Sequence, residues 1–172
     1  MLLLSSVFAS TILAVSPIVD LGYTSYRGTT LANDITQWLG IRYAAPPLGH
    51  LRFRAPLDPL PNKAVIDADT YGPFCLSTEE GPPTEDMDED CLFLNVFAPS
   101  VASGISRLPV YFFIQGGGFN SNTKAFNGSG IVTASDMNIV VVNFSYRLFM
   151  LPFYTVSGLT ISRRWSIWVL GR

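Results

Sequence analysis

The 172 residues are enough for one domain with a real core. A net charge of −2, with Lys and Arg scattered singly, leaves no electrostatic footprint for nucleic acid and excludes it as a partner. Only 14% of residues are charged and the mean hydropathy is +0.32, which is apolar for a complete secreted domain and fits part of a larger fold whose strands are covered by helices.

Met1 to Val19 carries no charged side chain. Leu2-Leu3-Leu4, Val7-Phe8-Ala9 and Ile12-Leu13-Ala14-Val15 form an apolar stretch, and residues 1–16 read as a secretory signal peptide. Cleavage at Ala14-x-Ser16 leaves Pro17 just after the cut, which disfavours it; cleavage after Ala14 is the alternative. A membrane span is the competing reading, but Pro17 and several hydroxyl residues interrupt a stretch barely long enough to cross, so no stable span is expected. Ile18 to Tyr26 and Gln37 to Tyr43 read as two strands. Arg27-Gly28 and Asn33-Asp34 lie between them and imply a hairpin-like entry. Pro46-Pro47 then forces an extended surface segment, since neither residue fits a helix interior or a central strand. His50, the sole histidine, stands in this Pro/Gly loop and reads as a solvent-exposed bystander, not a catalytic base.

Cys75 and Cys91 are the chain's two cysteines. Behind a signal peptide the compartment is oxidising, and an even count favours one bridge; two free thiols are the alternative. Between them, Glu79 to Asp90 holds a dense acidic run. Carboxylate density alone makes a calcium site conceivable, but Gly81-Pro82-Pro83 gives no ligand loop of known spacing, so a solvated loop is expected and no metal site. Leu92 to Phe97 reads as a strand, and Ala98-Pro99-Ser100 as the turn after it.

Val110 to Ile114 is a run of five apolar residues that reads as a strand buried on both faces. Gln115-Gly116-Gly117-Gly118-Phe119 follows at once. Glycine lets the backbone turn sharply and brings bare N–H groups close to a ligand, as stabilisation of a developing oxyanion requires. Gly130 to Met137 suits a short helical turn. Asn138 to Tyr146, with Val140-Val141-Val142 at its centre, reads as another interior strand. The connection from Ile114 to Ile139 is long enough for a parallel crossover. Two sequons occur. Asn127-Gly128-Ser129 lies in a polar loop and suits a glycan; Asn143-Phe144-Ser145 lies in the interior strand, where burial blocks one.

Glu89-Asp90-Cys91-Leu92-Phe93-Leu94-Asn95-Val96-Phe97-Ala98-Pro99, followed by the apolar strand and the Gly-Gly-Gly-Phe loop, resembles the type-B carboxylesterase family of cholinesterase-like esterases and fungal lipases. The resemblance runs from about residue 18 to 148 and looks closest to secreted fungal members, some of which have Gln before the glycines. It implies an α/β-hydrolase fold, of which residues 17–148 are the N-terminal part of a mixed, mainly parallel sheet. It implies a Cys75–Cys91 disulfide and a structural ion pair between Arg52 and Glu89. It also implies that Gly117 and Gly118 supply two oxyanion-hole amides, that Gly116 lets the loop turn, that Gln115 supports the loop from beneath and that Phe119 lines the substrate pocket. No metal or organic cofactor is implied; the substrate is a carboxylic ester, a lipid ester among the candidates, and the protein is secreted.

From Phe149 to Arg172 the sequence leaves the family pattern. A frameshift, a retained intron or a mispredicted gene end would produce this; the alternative is a genuine terminus with Trp165 and Trp168 packed on the sheet. No Gly-x-Ser-x-Gly occurs in the chain, and the nucleophile, acid and histidine of the family's triad are absent. The chain as written is therefore expected to be inactive, a poorly stable fragment of a carboxylic-ester hydrolase with exposed apolar surface. The competing function is a non-catalytic cholinesterase-like binding or adhesion module.

Overall fold

The computed structural model describes residues 16–77, 82–103, 105–121 and 126–148. Most of the expected signal peptide, the first acids of the 79–90 run and the divergent tail lie outside the described residues.

The entry region is built of shorter pieces than the apolar pattern implies. Ile18–Asp20 (β1) pairs antiparallel with Ser25–Arg27 (β2). The single strand expected over 18–26 breaks because Gly22 is left-handed, at φ +84°, and its N–H donates to Asp20 Oδ1 at 2.8 Å. Thr29–Thr30 (β3) then turns back onto Ile35–Arg42 (β4), with Asp34 left-handed in the turn at φ 58°. Val65–Asp67 (β5) lies parallel to β2. Phe74–Cys75 (β6) and Met87–Asp88 (β7) form a short parallel pair. Phe93–Pro99 (β8) is longer than expected: Ala98 and Pro99 extend the strand, and Pro99 pairs with Ile35 at its very end, a position proline tolerates. Val110–Phe113 (β9), the helix Ser129–Ala134 (α1) and Val140–Phe144 (β10) complete the described elements.

The main sheet has the order β3-β4-β8-β10-β9. Of its neighbouring pairs, β3/β4, β4/β8 and β8/β10 are antiparallel and only β9/β10 is parallel. The described sheet is thus mixed, not mainly parallel. A parallel pair needs a crossover connection. The segment carrying α1 supplies it between β9 and β10.

The sheet is covered on both faces at β4. Ile35 and Leu39 pack with Phe97, Val132 of α1 and Val141 on one side; Trp38 packs with Tyr26, Ala68 and Ala98 on the other. Strict alternation places Ile41 with Leu39. A register shift between Trp38 and Ile41 moves it to the Trp38 side instead. Gly40 makes the shift: it is left-handed at φ 68°, and a Cβ there would lie 2.6 Å from the Thr70 carbonyl oxygen.

The largest departure from expectation is β9. It stands at the edge of the described sheet and is not buried on both faces: Val110 is 60% exposed, and Tyr111, Phe112 and Ile114 are exposed too. Its composition is that of a central strand, yet it has one neighbour among the described residues. Among the described residues no helix is long and apolar enough to cross a membrane.

Candidate active site

The glycine loop begins where β9 ends. Gln115 is buried, so the chain dips into the protein before it emerges at the glycines. Gly117, Gly118 and Phe119 are left-handed in succession, at φ 128°, 59° and 64°. A Cβ on Gly117 would stand 2.5 Å from the Ser121 carbonyl oxygen, and one on Gly118 would stand 3.1 Å from Asn120 Oδ1. Gly116 does not have a left-handed φ, and a methyl added there would meet nothing within 4 Å, so the turn falls one residue later than the sequence suggests. The Gly117 carbonyl accepts from the amides of Asn120 at 3.1 Å and Ser121 at 3.0 Å, which closes the loop on itself. Among the described residues, the amides of Gly117 and Gly118 donate to no protein acceptor. Phe119 is half-exposed beside the loop, with its ring centroid 6.4 Å from that of Tyr146.

Two further contacts hold this loop, and neither is signalled by the glycine motif. The Tyr146 hydroxyl donates to the Gln115 carbonyl at 2.6 Å, and the Ser77 hydroxyl donates to the Asn120 carbonyl at 2.9 Å. Burial pushes the Tyr146 phenol up, so it stays a neutral donor. The next residue, Arg147, is half-buried, and desolvation pulls its guanidinium below the ordinary value, partly countered by Tyr43.

The acids at the end of the acidic run are fixed by arginines. Glu89 pairs with Arg52, which raises the guanidinium pKa through the hydrogen bond first and the charge second. Asp90, which the sequence places in a solvated loop, instead takes Arg42 in a two-pronged pair at 2.6 and 2.8 Å. The Arg42 guanidinium also lies 4.4 Å over the Phe93 ring. The Arg42 pair ties the end of the run to β4, and the Arg52 pair ties it to the segment just after the 3-10 turn Gly49–Leu51; among the described residues no cluster of acids, cysteines or histidines could hold a metal ion. Cys75 and Cys91 are joined in a disulfide and are buried with Ala44, Leu92 and Leu148. His50 is exposed in the 3-10 turn Gly49–Leu51. Asn127 is exposed ahead of α1, whereas Asn143 is buried in β10.

The family model described as "Carboxylesterase family" matches residues 15–163. Secreted lipase 4 of Gibberella zeae is 40% identical over 143 residues, covering 77% of this chain and 26% of the lipase. Carboxylesterase 5A of Mus musculus is 36% identical over 146 residues, covering 78% of this chain and 25% of that protein. The crystal structure of Aspergillus niger EstA superimposes with a TM-score of 0.75 at 48% identity, over 80% of this chain and 27% of EstA. The chain spans about a quarter of the length of these relatives. The matched span takes in the Glu89–Pro99 motif, the glycine loop and the strands that carry them, and the chain belongs to the carboxylesterase family.

Proposed function

We propose that this chain carries the oxyanion-hole half of a secreted serine hydrolase acting on carboxylic esters, on the N-terminal part of an α/β-hydrolase fold. The observation that carries the reading is the pair of adjacent amides at Gly117 and Gly118, on a loop bent by three successive left-handed residues and unused by any described acceptor. When a nucleophile adds to an ester carbonyl, negative charge gathers on the carbonyl oxygen. Two fixed N–H donors aimed at that oxygen stabilise the tetrahedral state more than the ground state. Phe119, beside the loop and half-exposed, gives the acyl or alcohol group an apolar wall.

The serine that attacks, the histidine that moves its proton and the acid that orients the histidine belong to sequence beyond these residues. The triad acts as a unit, so the 172 residues alone turn over no ester. Exposure of the apolar β9 edge agrees with a sheet that continues beyond the described strands. The relative described as a secreted lipase and the apolar N-terminus both support export.

The test compares the product secreted by the native source with the recombinant 172-residue chain, both assayed on p-nitrophenyl butyrate and read by intact mass. Hydrolysis by a longer secreted product, with none by the 172 residues, supports the reading. Hydrolysis by the 172-residue chain itself overturns the assignment of the triad to sequence beyond it. A secreted product without esterase activity overturns the reading and favours the non-catalytic one.

A further inference from the structure

Three glycines in a row are a poor foundation for catalysis. Each loses more backbone freedom on ordering than any other residue, so the loop needs outside anchors to hold its donors still. Among the described residues, the loop's backbone bonds, from the amides of Asn120 and Ser121 to the Gly117 carbonyl, tie its second half. The ends are held by side chains from elsewhere. Tyr146, just past β10, donates its hydroxyl to the Gln115 carbonyl at 2.6 Å. Ser77, two residues past Cys75, donates its hydroxyl to the Asn120 carbonyl at 2.9 Å. These two carbonyls bracket Gly116 to Phe119, the stretch with the candidate donors.

We infer that Tyr146 and Ser77 are positioning residues, a two-point hydroxyl clamp that fixes the glycine loop between the end of β10 and the disulfide loop. The two anchors come from different structural units. Tyr146 is set by the central strand β10, and its ring also meets Phe119 at 6.4 Å between centroids. Ser77 is set by the disulfide, because Cys75 is buried and bridged only two residues away. The clamp itself is a statement about backbone order. Its consequence for ester hydrolysis rests on the function proposed above.

The substitutions are Tyr146→Phe, which keeps the ring against Phe119, and Ser77→Ala, with Ser77→Thr as the hydroxyl-retaining rescue. Tyr23→Phe is the control: it removes a similar hydroxyl-to-carbonyl bond, 2.7 Å to Arg42, from a ring packed on the Trp38 side of the sheet. Two readouts are taken on the secreted protein that carries this sequence: hydrogen–deuterium exchange of the peptide over 115–121, and kcat and KM on p-nitrophenyl butyrate. Loss of one such bond corresponds to about five- to tenfold faster exchange in that peptide. A comparable fall in kcat with KM unchanged is expected, because the donors matter most in the transition state. Ser77→Thr restores both, and Tyr23→Phe moves neither. Unchanged exchange in Tyr146→Phe and Ser77→Ala, an equal change in Tyr23→Phe, or faster exchange with an unaltered kcat overturns the clamp as a positioning device. Wild-type protein without esterase activity, but with the expected exchange pattern, leaves the clamp standing and removes the esterase reading instead.

Discussion

Asn143 Oδ1 accepts a hydrogen bond from Asn95 Nδ2 at 2.8 Å, between two residues that face each other directly in the β8/β10 pair. Both side chains are buried, and each has a second partner. Asn95 Oδ1 accepts from the Gly40 amide at 2.9 Å, and Asn143 Nδ2 donates to the Phe126 carbonyl at 3.0 Å. The chain of amides therefore runs from the β4 bulge, across two strands, to the segment before α1. It satisfies the amide that the bulge takes out of the ladder. Asn95→Leu strands that amide and one end of Asn143, and should destabilise the folded protein by roughly 3 kcal/mol. The Asn95→Leu/Asn143→Leu double variant should cost less than the sum of the singles, because the first change has already broken the network. Urea midpoints at constant m measure both; strict additivity would refute the coupling.

Gly117 and Gly116 should separate sharply on substitution. At Gly117 the backbone is left-handed and an added methyl meets the Ser121 carbonyl at 2.5 Å, so alanine must move the loop. At Gly116 an added methyl meets nothing within 4 Å. On the function proposed above, displacing one oxyanion donor lowers kcat by about 10²–10³. Gly117→Ala is expected in that range, with Gly116→Ala clearly milder. Equal losses in the two variants would place the essential turn at Gly116, where the glycine motif alone suggests it.

The strands were legible in the sequence to the extent that local pattern determines them. The unbroken Val140-Val141-Val142 run lies in β10, and the polar Asn33-Asp34 pair does make a turn. Strand neighbours were not legible. Val110 to Ile114 has the composition of an interior strand, but only the set of available partners decides that β9 stands at the described edge. The direction of pairing was likewise a matter of connections, and the single described crossover gives the single parallel pair of the main sheet. In the site, the glycines announce the loop because their chemistry is local. Tyr146 and Ser77 reach it through contacts 31 and 43 residues apart in sequence, and no local pattern encodes those. Asp90 is one acid among many in the sequence, and only the fold brings Arg42 to it.

Reduction of the disulfide should loosen the protein on the side of the glycine loop. Cys75 and Cys91 are separated by 16 residues and both are buried. A closed loop of that length stabilises by about 3 kcal/mol on the chain-entropy account. Cys75→Ser/Cys91→Ser should lower the unfolding free energy by a similar amount. Faster exchange should then appear around Ser77 and Asn120 before it appears in β4 and β8. Uniform loosening of the whole sheet would argue against a local role for the bridge.

Alkaline pH should destabilise the fold through Tyr23. Burial, with a smaller contribution from Tyr26, pushes its phenol from 10.0 up to about 12. Its hydroxyl donates to the Arg42 carbonyl at 2.7 Å, a bond only the protonated form makes. The folded state holds this proton after the unfolded chain has released it, so stability falls as pH rises. The contribution is complete below pH 10.0 and is lost between there and about 12. Tyr23→Phe should flatten that part of the pH–stability curve. Tyr43, also raised by burial, is present in both proteins, so Tyr23→Phe should keep part of the alkaline loss while the wild-type curve, with both phenols, is the steeper.

The two sequons should behave oppositely. A glycan is attached through the asparagine Nδ2, so that atom must be reachable and the fold must leave room for a large sugar. Asn127 is exposed, and its bond to the Ser129 amide, 2.9 Å, uses Oδ1 and leaves Nδ2 for the sugar. Asn143 is 3% exposed, and its Nδ2 is already committed to the Phe126 carbonyl. A sugar on Asn143 would break the amide chain and open the β8/β10 pair, so chains carrying it should fail to fold and be lost before export. Peptide N-glycosidase F turns a glycosylated asparagine into aspartate, which peptide mass spectrometry reads directly. Secreted protein should show the change at Asn127 alone, and Asn127→Gln should remove it. An aspartate at position 143 in folded, secreted material would mean that this asparagine is not buried in the β8/β10 pair.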